Sequence, residues 1–385
     1  MVLNGVDRIS EFESVFKDKR LGLLTSVSGV DSKLQSTIRL LHQQYRLTAL
    51  FSPEHGVRGD MHAGALVDTY TDPYTGLPVY SLYRKDSKRF LPEMLRDVDA
   101  VVYDIQDIGT RYYTFISTLI YAIEDCAKHD KELIILDRIN PLGDKVEGNL
   151  LDTDYSSFVG AYSLCMRYGL TAGELACMVN VERGLDCKLT IIPCGGWNRR
   201  MLFPETRNIW VMPSMGIPRF ETALLYPGMC LFEGTNLSEG RGTACPFEII
   251  GAPYVDAQLL TDHMNAKHLP GVLFTPVYFT PSFSKHKGIH CGGVHAHVTD
   301  YHEIESVWVG IELLFAIQEM FQGDFAFLPP YHKGGRPFIE LLAGGKDLTN
   351  GTSKEKLRAK MIMDCESFTE RKKQYQIYSS EDIAL

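Results

Sequence analysis

The chain has 385 residues, 45% hydrophobic and 23% charged, with a formal net charge of −9. That length and apolar content support about two globular domains and exclude wholesale disorder. The acidic balance argues against a nucleic-acid partner, and no run of 18 apolar residues is present to cross a bilayer, so no membrane partner is expected.

The opening Met1–Arg8 lacks the basic-then-apolar order of a signal peptide. A cytoplasmic location is therefore expected, or secretion if a leader has been removed. Leu21–Ser26 reads as a buried strand, 36–45 as a helix, and Leu47–Ser52 as the next strand. Leu77–Tyr83 follows as a strand, entered by the turn-like 72–76. Val98–Ile105 is the clearest strand, and Tyr112–Lys128 a long amphipathic helix. Glu132–Leu136 is again a strand. Thr171 and Glu174 have capping-box spacing and open a helix to about Glu182. Leu189–Pro193 closes the series. Continuous apolar strands alternating with helices imply a parallel sheet covered on both faces. The fold class is α/β: a Rossmann-like domain over 1–224, then a smaller α+β domain over 225–385. The second part is richer in Gly, Pro and aromatics, with a strand at 292–299 and a helix at 306–321. Pro213, Pro218, Pro227 and Gly228 read as an irregular connection between the two. The nine cysteines include no C-x-x-C pair, which suits reduced, mostly buried thiols.

Open parallel sheets bind ligands beyond the carboxyl ends of their strands. The segments there are unusually polar. Glu54, His55 and Arg58 follow the second strand. Asp104, Gln106, Asp107, Arg111 and Tyr112 follow or end the 98–105 strand, and Asn140 follows the 132–136 strand. Glu54 reads as a general acid or nucleophile in a cleft, against a structural reading as a loop acid that pairs with Arg58 or caps a helix. Asp107 is a candidate second carboxylate or a carboxylate satisfying backbone N–H groups. Arg58 and Arg111 could clamp a substrate carboxylate or pair with these same acids. The densest polar loop is 233–243. Asn236 and Arg241 are its substrate-contact candidates and Glu239 a further acid, with a structural loop as the alternative.

Cys291, His295 and His297 share one face of a strand, but no fourth ligand with zinc spacing accompanies them, so no metal site is expected. The dinucleotide, P-loop, nucleophile-elbow and H-E-x-x-H signatures are absent. Acid–base chemistry on a small substrate remains.

Six motifs in order resemble the NamZ family of exo-β-N-acetylmuramidases. They are Phe51–Gly59 (FSPEHGVRG), Thr75–Tyr83 (TGLPVYSLY), Tyr103–Tyr112 (YDIQDIGTRY), Leu136–Gly143 (LDRINPLG), Gly169–Ala176 (GLTAGELA), and Tyr226–Gly228 through Thr243. The resemblance implies a Rossmann-like domain, a smaller C-terminal domain and a cleft between them. It also implies release of N-acetylmuramic acid from the non-reducing end of β-1,4-linked peptidoglycan fragments. The family's catalytic glutamate is that of the Glu-His-Gly motif, here Glu54. Asp107, Asp104 and Glu239 are candidates for a second carboxylate, and the substrate's own acetamido group is a third route. Arg58, Arg111 or Arg241 would read the lactyl carboxylate. No cofactor is expected, and the partner is a small saccharide. Two departures are visible. Pro213–Gly216 (PSMG) stands where the family has Pro-Ser-Pro-Asn, and Ile139 where it has a proline. The alternatives are a non-catalytic sugar-binding protein and a metal hydrolase built on the cysteine–histidine segment.

Overall fold

A computed structural model describes residues 1–59, Gly64 and 68–380. Seven strands form the first sheet: β1 (Leu21–Thr25), β2 (Leu47–Ser52), β3 (Tyr70–Thr71), β4 (Pro78–Ser81), β5 (Ala100–Asp104), β6 (Glu132–Leu136) and β7 (Leu189–Ile192). Their order is β3-β4-β2-β1-β5-β6-β7, and every neighbouring pair is parallel except β3–β4. Every residue of β1, β5 and β6 is buried. That is why these strands read as unbroken apolar runs: both faces are covered.

The cover is set by strand alternation. Leu21 and Leu23 face a core with Phe16 of α1 (Glu13–Phe16) and Ile38 and Leu41 of α2 (Thr37–Gln44). Leu24, Val101 and Tyr103 face the opposite core, with α3 (Phe115–Lys128) and α4 (Ala172–Glu182). The capping box at α4 is formed: Thr171 accepts from the Glu174 N–H, and the Glu174 carboxylate accepts from the Thr171 N–H at 3.0 Å. The helix expected from Tyr112 starts at Phe115, so Tyr112 and Tyr113 lie in the turn before it.

The segment expected as an irregular connection contains a helix, α5 (Phe220–Met229), with Pro227 near its C-terminal end. Residue 225, the expected start of the second domain, lies inside this helix. Beyond it, β8 (Ile249–Ala252), α6 (Ala257–Asn265), β9 (Val272–Phe279) and β10 (Cys291–Val298) lead to α7 (Ser306–Met320), α8 (Phe338–Ala343) and α9 (Lys354–Lys372). The second sheet is antiparallel, in the order β8-β10-β9. Pro276 is tolerated in β9 because that strand is an edge. The strand expected at 292–299 and the helix expected at 306–321 are β10 and α7. The periodicity did not reveal α6, α8 or α9. No helix among the described residues is long and apolar enough to cross a membrane. All nine cysteines are free, five of them in the first 200 residues and most of them buried.

Candidate active site

Strand order locates the site. β2 lies on one side of β1 and β5 on the other, so successive crossovers leave β1 in opposite directions. A doubly wound sheet opens a crevice at that reversal, beyond the carboxyl ends of the strands. The loop after β2 carries Glu54 and the loop after β5 carries Asp107. The two strands are two steps apart across β1, roughly 10 Å between backbones.

Glu54 is 8% exposed. One carboxylate oxygen accepts from the Gly64 N–H at 2.8 Å and the other from the Thr114 hydroxyl at 2.6 Å. The Tyr83 hydroxyl also reaches it; burial first, then the charge of Glu54, raises that phenol well above its usual range. Lys88 stands over the Tyr83 ring at 3.4 Å, its ammonium pKa lowered by burial and partly restored by the charge of Glu54. The chain makes this turn with positive φ at His55 (73°) and Gly56 (83°). The His55 ring meets Phe115 edge-on at 6.2 Å.

Asp107 is 6% exposed. Its Oδ2 accepts from the Gly109 N–H at 2.7 Å and from the Tyr168 hydroxyl. Its Oδ1 has no hydrogen-bond partner among the described residues. Burial pushes the carboxyl up to about 6, against the pull of those hydrogen bonds. Gly109 is required here: its φ is 74°, and a Cβ would come within 2.4 Å of the Asn140 side-chain oxygen. Tyr113 links the two acids. Its hydroxyl is buried beside Ser214 without a well-formed hydrogen bond, and it feels the charges of Asp107, Glu54 and Arg241.

Arg241 approaches from the C-terminal half. It donates to Glu233 at 2.6 and 2.9 Å, lies 3.5 Å from Glu239, and stacks on Phe247 at 4.9 Å. A Cβ at Gly216 would lie 3.4 Å from its Nη1, so residue 216 borders that edge of the guanidinium. Glu239 is ion-paired to Lys285 at 2.8 Å.

Several expected contact residues are committed elsewhere. Asp104 is fully buried in a bidentate pair with Arg138, at 2.6 and 3.0 Å, and also accepts from Thr37. Arg58 pairs with Asp72 and covers Tyr74 at 4.7 Å. Burial alone would raise the Asp72 carboxyl, but hydrogen bonds from Arg58 and Thr75 hold it below the usual range. The Gln106 amide donates to the Asp107 and Ile139 carbonyls at 2.7 and 2.9 Å. Arg111 donates to the carbonyls of Asn149, Leu164, Leu342 and Ala343. Burial lowers its pKa to about 10. It is a strut between segments, not a carboxylate clamp. Tyr112 donates to the Pro227 carbonyl. Asn140 bridges the Leu170 carbonyl and the Leu142 N–H, both at 3.0 Å. Asn236 donates to the Asp324 carbonyl and accepts from the Ala326 N–H and the Tyr254 hydroxyl, so its amide is engaged within the C-terminal half. Glu54, Asp107 and Arg241 are therefore the expected residues brought together around Tyr113.

The cysteine–histidine segment has a different arrangement from the one expected. The His295 and His297 rings are 4.2 Å apart, while the Cys291 thiol turns to the Ile289 carbonyl. Ligand atoms of Cys245, Glu248 and His295 lie within 4.8 Å of one another. Both Glu248 oxygens are already held by Arg219, and one also by Thr222. Burial opposes ionisation, yet these hydrogen bonds and that from His295 keep the carboxyl down at about 2. The Arg219 charge thus already balances the one carboxylate of this group.

Tyr113, Thr114, Tyr83 and Tyr168 were missed by sequence reasoning. Tyr113 and Thr114 were hidden because the helix was begun three residues early. Tyr83 closes a motif already quoted and was readable as a partner of Glu54.

Comparison with known proteins agrees with this geometry. Residues 21–221 match the family described as exo-beta-N-acetylmuramidase NamZ, N-terminal, and residues 224–378 its C-terminal counterpart. The chain is 42% identical over 384 residues to the peptidoglycan beta-N-acetylmuramidase NamZ of Bacillus subtilis, covering 98% of this chain and 91% of that protein. A crystal structure of a DUF1343 family protein from Bacteroides fragilis superposes with a TM-score of 0.89 at 36% identity, covering 98% of this chain and 99% of that one. A second from the same organism gives 0.77 at 29% identity, covering 99% and 100%.

Proposed function

The chain belongs to the NamZ exo-β-N-acetylmuramidase family, and from that premise we propose that Glu54 is the general acid of its reaction. The protein is an exo-acting glycoside hydrolase of peptidoglycan. Its substrate is a β-1,4-linked fragment carrying N-acetylmuramic acid at the non-reducing end, and the product is that free sugar.

The leaving group is a sugar alkoxide, which departs slowly unless protonated. The position of Glu54 in the loop after β2, at the sheet's switch point, supports this role. Thr114 and the Gly64 N–H fix the plane of its carboxyl group, so the proton is delivered in one direction. This buried, doubly held acid is the observation that carries the assignment. Arg241 reads the lactyl carboxylate that distinguishes muramic acid from glucosamine. Of the three arginines considered, it is the one whose charge reaches Tyr113, and Gly216 borders its Nη1. Glu233 and Glu239 fix its orientation.

The test compares wild type and Glu54→Gln on the disaccharide MurNAc-GlcNAc and on para-nitrophenyl β-MurNAc. Loss of a general acid costs about 10²–10⁴-fold in turnover. The variant should show that loss in kcat while still binding the sugar by calorimetry. Turnover close to wild type would remove Glu54 from the role.

A further inference from the structure

Among the described residues, the buried polar atoms that lack a hydrogen-bond partner include Asp107 Oδ1 and the Tyr113 hydroxyl; Glu239 Oε2 lacks one too, but it is ion-paired to Lys285 at 2.8 Å. Asp107 and Tyr113 are both only 6% exposed. A buried polar group left unpaired costs free energy, so native structures keep such groups where a ligand completes them. Asp107 Oδ1 is an acceptor and the Tyr113 hydroxyl can donate, and the Tyr113 phenol feels the charges of both Asp107 and Glu54. A secondary amide has the matching pair, an N–H and a C=O.

We propose that Asp107 and Tyr113 clamp the acetamido group of the terminal sugar, so that its own carbonyl oxygen is the nucleophile. The proposal rests on the glycosidase reading above. The surroundings fit it. Asp107 Oδ2 is fixed by Tyr168 and Gly109, which leaves Oδ1 aimed at a further donor. Phe115 and Tyr226 pack on Tyr113 at ring distances of 5.0 and 5.9 Å, and supply an apolar wall for the acetyl methyl. Of the other two candidate carboxylates, Asp104 is ion-paired with Arg138 and Glu239 with Lys285 and Arg241.

The steps balance without a further reagent. The Tyr113 hydroxyl donates to the acetamido oxygen and holds it below the anomeric carbon. That oxygen forms a bond to C1 as the glycosidic C1–O bond breaks, and Glu54 gives its proton to the departing oxygen. The positive charge on the resulting oxazolinium ring is stabilised by its N–H donating to Asp107. Water then attacks C1, its proton passes to the Glu54 carboxylate, and the C1–O bond of the ring breaks. One water is consumed, and two inversions at C1 return the β configuration.

Three measurements test the clamp. Proton NMR of the first product formed should show the β anomer. Para-nitrophenyl β-MurNAc substrates with mono-, di- and trifluorinated N-acetyl groups should lose kcat/KM steeply along the series, because fluorine drains the carbonyl oxygen. Tyr113→Phe and Asp107→Asn should each lower kcat by about 10²-fold, the scale of one lost transition-state hydrogen bond. Tyr113→Phe removes a hydroxyl that makes no well-formed hydrogen bond, so its melting temperature should stay close to the wild-type value. Inversion, indifference to fluorination, or full activity of either variant would each overturn the clamp while leaving the glycosidase reading intact. The fluorinated series uses only wild type, so it decides the matter even if a variant misfolds. Absence of any sugar release by wild type would overturn the reading itself.

Discussion

Asp107 is the residue whose chemistry the pH profile should expose. Burial holds its carboxyl up at about 6, although Tyr168 and the Gly109 N–H pull it down. The titratable groups facing it are Tyr103, Tyr113 and Tyr168. Burial keeps all three phenols above their usual range, so none of them changes charge between pH 5 and 7. A clamp on an amide N–H needs the ionised carboxylate. The raised pKa means that the proton returns as pH falls through about 6. kcat/KM should therefore drop about tenfold per pH unit below that point. An acid limb at the ordinary aspartate value, near pH 4, would show that Asp107 carries no such role. At this scale the sequence was only half legible. Glu54 stood out because it follows a strand at a glycine turn. The fates of Arg111 and Asp104 did not, since a spacing pattern cannot say whether a charge meets a ligand, a carbonyl or a distant arginine.

Elements were legible where one physical signal dominated. The buried parallel strands read as apolar runs, and α4 announced itself by its capping box. α5 did not, because Pro227 and Gly228 are helix breakers in an isolated peptide. Here packing decides. A Cβ at Gly228 would meet the Ser306 carbonyl at 2.0 Å, and one at Gly310 would meet the Gly228 carbonyl at 2.4 Å. α5 and α7 thus cross with their backbones in contact, at a point where only glycine fits. α5 runs on through a 3-10 turn, Cys230–Gly234, that carries Glu233 and leads to Glu239 and Arg241, so the crossing also sets that wall of the cleft. Gly310→Ala should force the helices apart and cost about 1–3 kcal/mol, the usual penalty for overpacking. Chemical denaturation would show a lower midpoint with an unchanged slope, and kcat/KM should fall because Arg241 shifts. An unchanged midpoint would mean that the crossing has slack the distances do not show.

At the scale of the whole molecule, the chain does not end in the half where the second sheet lies. α9 returns along the first: Lys372 donates to the carbonyls of Asp144 and Gly169 at 2.8 and 2.9 Å, and Asp364 accepts from the Leu150 N–H at 3.1 Å. The tail then reaches the carboxyl edge of β6 and β7. The Tyr378 hydroxyl donates to Asp137 at 2.6 Å and accepts from the Cys194 N–H at 2.9 Å, and its ring meets Trp197 at 5.2 Å. The Ile377 N–H donates to Glu174, whose carboxylate is also held by Arg199 in a fully buried pair. Periodicity could not foresee this, because the tail is polar and gains its place through single hydrogen bonds rather than an apolar stripe. The consequence is that the two halves should unfold together. Deleting residues 374–385 would leave the Cys194 N–H without its acceptor, remove three donors from the buried carboxylates of Glu174 and Asp137, and uncover the Trp197 ring. Each buried group left unpaired costs about 1–3 kcal/mol, so the deletion should cost at least about 3 kcal/mol in total. Calorimetry of the full chain should show one cooperative transition, and the shortened chain one transition at lower temperature. Two separate transitions in the full chain, or an unchanged melting temperature after deletion, would show that the tail only rests on the first sheet and does not lock it.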